Sequence, residues 1–123
     1  MTALWVAIAG GAGSLSRYAV GLAGQRYLGD RFPYGTLAVN LLGCFLIGIV
    51  MVLAEARQID PRVRVAVVGG FLGGFTTYSA FAYETLALAD RRSAAVAVLY
   101  AGVTIAGCFV ACAAGLFLAR RLL

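Results

Sequence analysis

The chain has 123 residues, of which 63% are hydrophobic and only 12% charged, about half the usual soluble fraction, and its net charge is +5. With a mean hydropathy of +0.94 it reads as one integral membrane domain, residues 1–123, because four crossings of ~20 residues leave no room for a soluble domain. The basic residues are scattered and form no nucleic-acid patch, and without histidine and with so few acids no nucleophile–base pair can be built, so an enzyme is excluded.

The first expected span, residues 3–25, carries one charge, Arg17. No basic residue precedes its apolar run, so it reads as a transmembrane helix and not as a signal peptide. Gly11-Ala12-Gly13 has no third glycine at Ser16 and no preceding strand, which removes the dinucleotide-binding reading. Arg17 lies ~20 Å along a helix begun at Leu4. It either snorkels to the far interface or holds positive charge at a pore mouth.

Pro33 suits a helix start, and the second span covers residues 33–55. Thr36 and Asn40 are four apart and share a face. An amide at that depth must find a protein partner or line a polar path, and both readings stand for Asn40.

The third span, residues 63–88, contains a charge-free run from Val65 to Tyr83 and four glycines between Gly69 and Gly74. Each glycine costs a helix interior roughly 1 kcal/mol against alanine, and the hydroxyls of Thr76, Thr77 and Ser79 compete for backbone bonds. The stretch is predicted to break partway across. A break leaves carbonyls suited to a cation, and N–H groups suited to an anion or a threonine cap. The other reading is close helix packing, for which Gly69/Gly73 and Gly70/Gly74 have the spacing. Glu84 ends the charge-free run and is expected at the interface.

The fourth span, residues 94–119, sets Tyr100, Thr104, Cys108 and Cys112 at four-residue steps, one weakly polar stripe on an apolar helix. The three cysteines, with Cys44, read as buried small hydrophobes and not as a disulfide or metal framework. With four crossings, Arg57, Arg62, Arg64, Arg120 and Arg121 share one side. Arg26, Arg31, Arg91 and Arg92, with Arg17 if it snorkels, share the other. That near balance gives no preferred orientation. A chain inserting both ways up can pair as an antiparallel dimer about a two-fold axis in the membrane plane.

Three motifs, Gly10-Gly11-Ala12-Gly13-Ser14-Leu15-Ser16-Arg17-Tyr18, Gly35-Thr36-Leu37-Ala38-Val39-Asn40-Leu41-Leu42-Gly43-Cys44-Phe45 and Gly70-Phe71-Leu72-Gly73-Gly74-Phe75-Thr76-Thr77-Tyr78-Ser79-Ala80-Phe81, fall on consecutive spans. With them the sequence resembles the Fluc (CrcB) fluoride channels of bacteria over essentially its whole length. The resemblance implies an all-α membrane protein with four transmembrane helices per subunit, the third broken, assembled as an antiparallel dual-topology homodimer. It implies passive efflux of fluoride across the bacterial inner membrane, through two pores.

It also implies a structural sodium ion at the dimer centre, held by the carbonyls of Gly73 and Thr76. The implied pore residues are Asn40, Tyr78, Phe81, Tyr100 and Thr104, with Arg17 and Glu84 beside them. Thr36 and Ser79 add hydroxyls that suit a small, strongly hydrated anion. Tyr78 stands where the family usually has phenylalanine, and Ala80 where it usually has threonine. A proton-coupled multidrug transporter of four helices and dual topology is the alternative, but it needs an acid within the first span, where this chain has Arg17.

Overall fold

A computed structural model describes residues 1–56 and 58–123; Arg57, counted above with the second-connector side, lies outside the described residues. Those residues are all helical, without strands: α1 (Thr2–Leu28), α2 (Tyr34–Glu55), α3 (residues 61–75), α4 (Tyr78–Arg91) and α5 (Ala94–Leu122). Helices α3 and α4 are the two halves of one membrane-length rod, so the chain makes four such rods.

Three of them, Tyr34–Glu55, Pro61–Arg91 and Ala94–Leu122, are long and apolar enough to cross a bilayer. The expectation of four apolar spans therefore holds by composition for three. Helix α1, at 27 residues, runs ~40 Å and has the length. Its glycines, serines and Arg17 dilute its hydropathy, and they do so because that helix uses small residues for packing. Large apolar side chains such as Trp5, Ile8, Val98, Phe109 and Phe117 point outward, a surface suited to hydrocarbon and not to water.

Local signals set the helix ends. Asp60 accepts the Arg62 N–H at 2.8 Å with Pro61 at the first helical position. Ser93 accepts the Val96 N–H at 3.2 Å to start α5. Gly29 closes α1 at φ 84°, a left-handed conformation that favours glycine.

The break lies on the threonines and not on the glycines. Residues Val65–Leu72 form a π-helical stretch, and Gly73–Phe75 return to α-geometry. The chain then extends at Thr76 (φ −85°, ψ 160°) and Thr77 (φ −151°, ψ 121°). The glycines stay helical because their missing side chains are used. A Cβ at Gly70 would sit 2.9 Å from the Val6 carbonyl oxygen, and one at Gly74 would collide with the Gly10 carbonyl. From the other side, a Cβ at Gly13 would overlap the Phe71 carbonyl. The packing reading is thus the right one for Gly70 and Gly74, and α1 and α3 meet backbone to backbone. Gly69 faces open space, and a Cβ at Gly73 would meet only the Val68 carbonyl oxygen, at 3.6 Å.

The parallel pair α2 and α5 is built likewise. A Cβ at Gly48 would lie 2.5 Å from the Cys112 carbonyl oxygen, and one at Gly107 would lie 2.8 Å from Leu41. Gly13→Ala is expected to lower unfolding free energy by roughly 1–3 kcal/mol, the cost of overpacking a filled site. Gly11→Ala, on an open side of the same helix, should be neutral or gain up to about 1 kcal/mol of helix propensity. Unfolding in mixed micelles by titration with dodecyl sulfate measures both.

Candidate functional site at the helix break

The extended pair Thr76–Thr77 has to place its backbone polar groups without water. The buried Asn40 carboxamide takes both of Thr77's: its Oδ1 accepts the Thr77 N–H at 2.8 Å, and its Nδ2 donates to the Thr77 carbonyl at 3.0 Å. Helical bonding runs as far as Thr76, whose N–H and Oγ1 both donate to the Leu72 carbonyl, at 3.0 and 2.9 Å. It stops at Thr77, which in an unbroken helix would close onto the Gly73 carbonyl. Asn40 thereby leaves that carbonyl free of its helical partner. Thr77 then starts α4, its Oγ1 accepting the Ala80 N–H at 3.2 Å.

Arg17 comes to the same place. Its Nη1 donates to the Thr76 carbonyl at 3.5 Å, so of its two readings the structure has it at the break and not snorkelled to an interface. The end of α3 therefore presents carbonyl oxygens, and no cluster of histidine, cysteine or carboxylate ligands is found among the described residues. Neutral, hard oxygen ligands of this kind fit a monovalent cation. Gly73 would supply one directly, while Thr76 already shares its oxygen with Arg17.

Beside the break is a cavity of about 390 Å³ lined by Asn40, Thr76, Thr77, Tyr78, Phe81 and Thr104, with Cys44 and Cys108. Thr104 Oγ1 is buried there without a hydrogen bond of good geometry, the Tyr100 hydroxyl being the group within its reach. The Phe81 ring is buried, 5.8 Å from that of Tyr78 in a T-shaped arrangement and 5.4 Å from that of Tyr100. Tyr78 itself is 81% exposed. Ser79 is also exposed and does not line the cavity; its nearest polar atom is Thr77 Oγ1 at 3.4 Å.

A second cavity, of about 480 Å³, opens between the α1–α2 connector and the C-terminal end of α4. Thr36 and Glu84 line it, with Arg91 at the end of α4 and Arg31 and Arg92 from the connectors, and Arg92 Nη1 donates to the Arg31 carbonyl at 3.3 Å. The Glu84 carboxylate accepts from Thr36 Oγ1 at 2.8 Å and from the Tyr100 hydroxyl at 2.9 Å. Tyr100 is wholly buried, and Thr104 lies one turn further along α5. A line of polar atoms thus runs from the first cavity, through Thr104 and Tyr100, to Glu84 in the second.

Two hydroxyls distant in sequence, those of Thr36 and Tyr100, converge on Glu84. Thr77 was absent from the sequence-derived site. Its signal was a threonine immediately before a helical run, the usual N-cap choice. Gly43 was also absent: a Cβ there would overlap the Thr76 side chain, so it sets how near α2 comes to the break.

Comparison with known proteins bears on this arrangement. Residues 4–116 match the family described as CrcB-like protein, Camphor Resistance (CrcB). A fluoride-specific ion channel FluC of Acidobacterium capsulatum is 43% identical over 123 residues, covering 99% of this chain and 98% of that protein. The FluC of Sorangium cellulosum is 39% identical over 97% of this chain and 94% of its own length, and that of Solibacter usitatus 51% identical over 71% and 72%. The chain belongs to the CrcB-like family. Membership makes it a transport protein and not an enzyme, and none of these relatives points to an antiporter.

In this CrcB-like chain the Asn40 carboxamide is the part whose removal does most to the break. Asn40→Leu leaves the Thr77 N–H and carbonyl unpaired, each at a cost of about 1–3 kcal/mol. The segment then either opens or re-forms the helical bond to Gly73. Amide exchange by NMR in micelles should show Thr77 exchanging at least about tenfold faster, the change that corresponds to ~1.4 kcal/mol. An unchanged rate would mean that Asn40 is not what holds the break.

Proposed function

We propose that this chain is one subunit of an antiparallel homodimer that conducts fluoride passively out of the cytoplasm across the inner membrane. The observation that carries the reading is Thr104: a buried hydroxyl without a hydrogen bond of good geometry, lining a cavity at a broken transmembrane helix. A hydroxyl left unbonded at depth is a donor held for a ligand, and the relatives are named fluoride-specific ion channels. Among the described residues no acidic side chain lines that cavity to repel an anion.

Fluoride is small and strongly hydrated, so a path must replace its water with donors that hold it weakly enough to release it. On the proposed path the N–H of Asn40 not engaged with Thr77 and the Thr104 hydroxyl act first. The ring edges of Phe81 and Tyr78, which carry the positive part of the aromatic quadrupole, act beside them. Further along, the ion competes with the Glu84 carboxylate for the hydroxyls of Tyr100 and Thr36. Ser79 is turned outward and enters the path only if the second subunit covers it.

The exposure of Tyr78, the open faces of Gly69 and Gly73 and the balance of arginines support the dimer. With two subunits inverted about the break, the Gly73 and Thr76 carbonyls of both meet at the centre. A sodium ion there would neutralise the negative ends of the two half-helices.

Fluoride against chloride efflux from liposomes containing the purified protein tests the activity. Thr104→Val should slow fluoride by a factor corresponding to about 1.5–3 kcal/mol, the range for a hydrogen bond to a charged group. Tyr78→Phe should leave transport intact, since the ring edge remains. Phe81→Ile should impair it far more than Tyr78→Phe does, at matched density of assembled protein. A chain that passes chloride as well as fluoride, or neither, would refute the reading.

Topology has its own measurement. Gln58→Cys, in a background without Cys44, Cys108 and Cys112, should label in roughly equal amounts from the two faces of the membrane, because the arginine distribution selects neither orientation. One-sided labelling would remove the antiparallel dimer.

A further inference from the structure

Cys44 and Cys108 stand on α2 and α5 at the same level. Those two helices run in the same direction, and their backbones are drawn together on either side of the pair, by Gly107 against Leu41 and by Gly48 against the Cys112 carbonyl. Both cysteines are free and half-buried, and both line the 390 Å³ cavity together with Thr104 and Phe81. The two thiols face that one cavity from adjacent helices. Cys112, one turn beyond Cys108, does not line that cavity. No other cysteine, and no histidine or carboxylate, faces the pair from the cavity wall.

We propose that Cys44 and Cys108 form a two-sulfur site for a soft monovalent cation, silver(I) or copper(I), and that a metal bound there closes the ion path. Soft cations of this class take thiolate and thioether sulfur in preference to oxygen, and two ligands in line satisfy them. As the cation enters, one thiol loses its proton to water and forms a sulfur–metal bond, while the other donates a sulfur lone pair and keeps its proton. The charge of the cation is balanced by that one proton released, and no electron changes hands. The bound complex is neutral, which suits a cavity at membrane depth. Hard cations such as sodium do not compete for these sulfurs, so the site is separate in chemistry from the carbonyls at Gly73.

The second half of the proposal rests on the fluoride-conducting reading. A metal held between α2 and α5 stands against Thr104 and Phe81, where the proposed path is lined. An anion then loses the space and the free Thr104 hydroxyl together.

The experiment uses the purified protein in chloride-free buffer with silver nitrate. Metal retained after desalting is measured by elemental mass spectrometry, alongside fluoride efflux from liposomes. Wild type should retain about one silver ion per subunit, set by one cysteine pair in each chain. Cys44→Ala and Cys108→Ala should each weaken retention by at least about the 10–100-fold lost with even an outer-shell partner, and Cys44→Ser and Cys108→Ser check that the loss does not come from a packing defect. Cys112→Ala should bind as wild type does. Undiminished retention in either single variant, or equal loss in Cys112→Ala, would overturn the site.

Silver should suppress fluoride efflux in wild type and in Cys112→Ala but not in Cys108→Ser. Full occupancy with undiminished efflux would overturn the claim that the site is on the path. Absence of fluoride efflux before silver is added would instead count against the fluoride reading, and the retention measurement would still decide the metal site.

Discussion

The pair of hydrogen bonds between the Asn40 side chain and the Thr77 backbone is the constraint on which the rest depends. An interrupted helix inside a bilayer exposes groups that water cannot reach, and each buried group left without a partner costs about 1–3 kcal/mol. A carboxamide accepts and donates in a single plane from neighbouring atoms, so one residue on α2 serves both backbone groups of Thr77. The gain from making the two bonds is modest, about 0.5–1.5 kcal/mol each. The penalty for leaving them unmade is larger, and that asymmetry holds the chain extended against its tendency to close onto Gly73.

Everything beyond the break takes its direction from this point. Thr77 caps α4, and α4 carries Phe81 into the cavity and Glu84 to the hydroxyls of Thr36 and Tyr100. The clamp works only because α2 lies close to the break, which Gly43 permits. Helix α3 is in turn seated against α1 by Gly10, Gly13, Gly70 and Gly74. Small residues on three helices thus determine how near the polar groups come to one another, and the polar groups determine where the helix stops.

This division explains what could be read from the sequence. Long charge-free runs and their connectors gave the helices, since hydropathy and length are local properties. The interruption of the third span was legible, but the glycines drew attention away from the two residues that carry it. Glycine's helix penalty is largely one of chain entropy, and in a bilayer backbone bonding is obligatory while a missing side chain permits contact that offsets the loss. Asn40 could be glue or pore lining because its role depends on what faces it, and Thr77 is 37 residues away. The partners of Glu84 were hidden for the same reason: Thr36 and Tyr100 reach it from other helices. Arg17 sits in a helix whose glycines and serines lower its hydropathy, so composition understates a segment that close packing requires.

The hydroxyls show where unspent hydrogen-bonding capacity lies. Ser16 donates to the Ala12 carbonyl, Thr76 to Leu72 and Thr85 to Phe81, each within its own helix. Thr36 and Tyr100 donate to Glu84, and Thr77 caps α4. Thr104 is the buried side chain left over among the described residues. A valine would fill the same volume without an unpaired polar atom, so the hydroxyl is a net cost to the isolated chain of about 1–3 kcal/mol. That cost is recovered only when something that accepts a hydrogen bond occupies the cavity. An anion that must shed water at this depth is such a species, and a donor without a prior partner can bind it without first breaking a protein bond. Glu84 is the contrasting end of the polar line, where each hydroxyl is already held by a carboxylate.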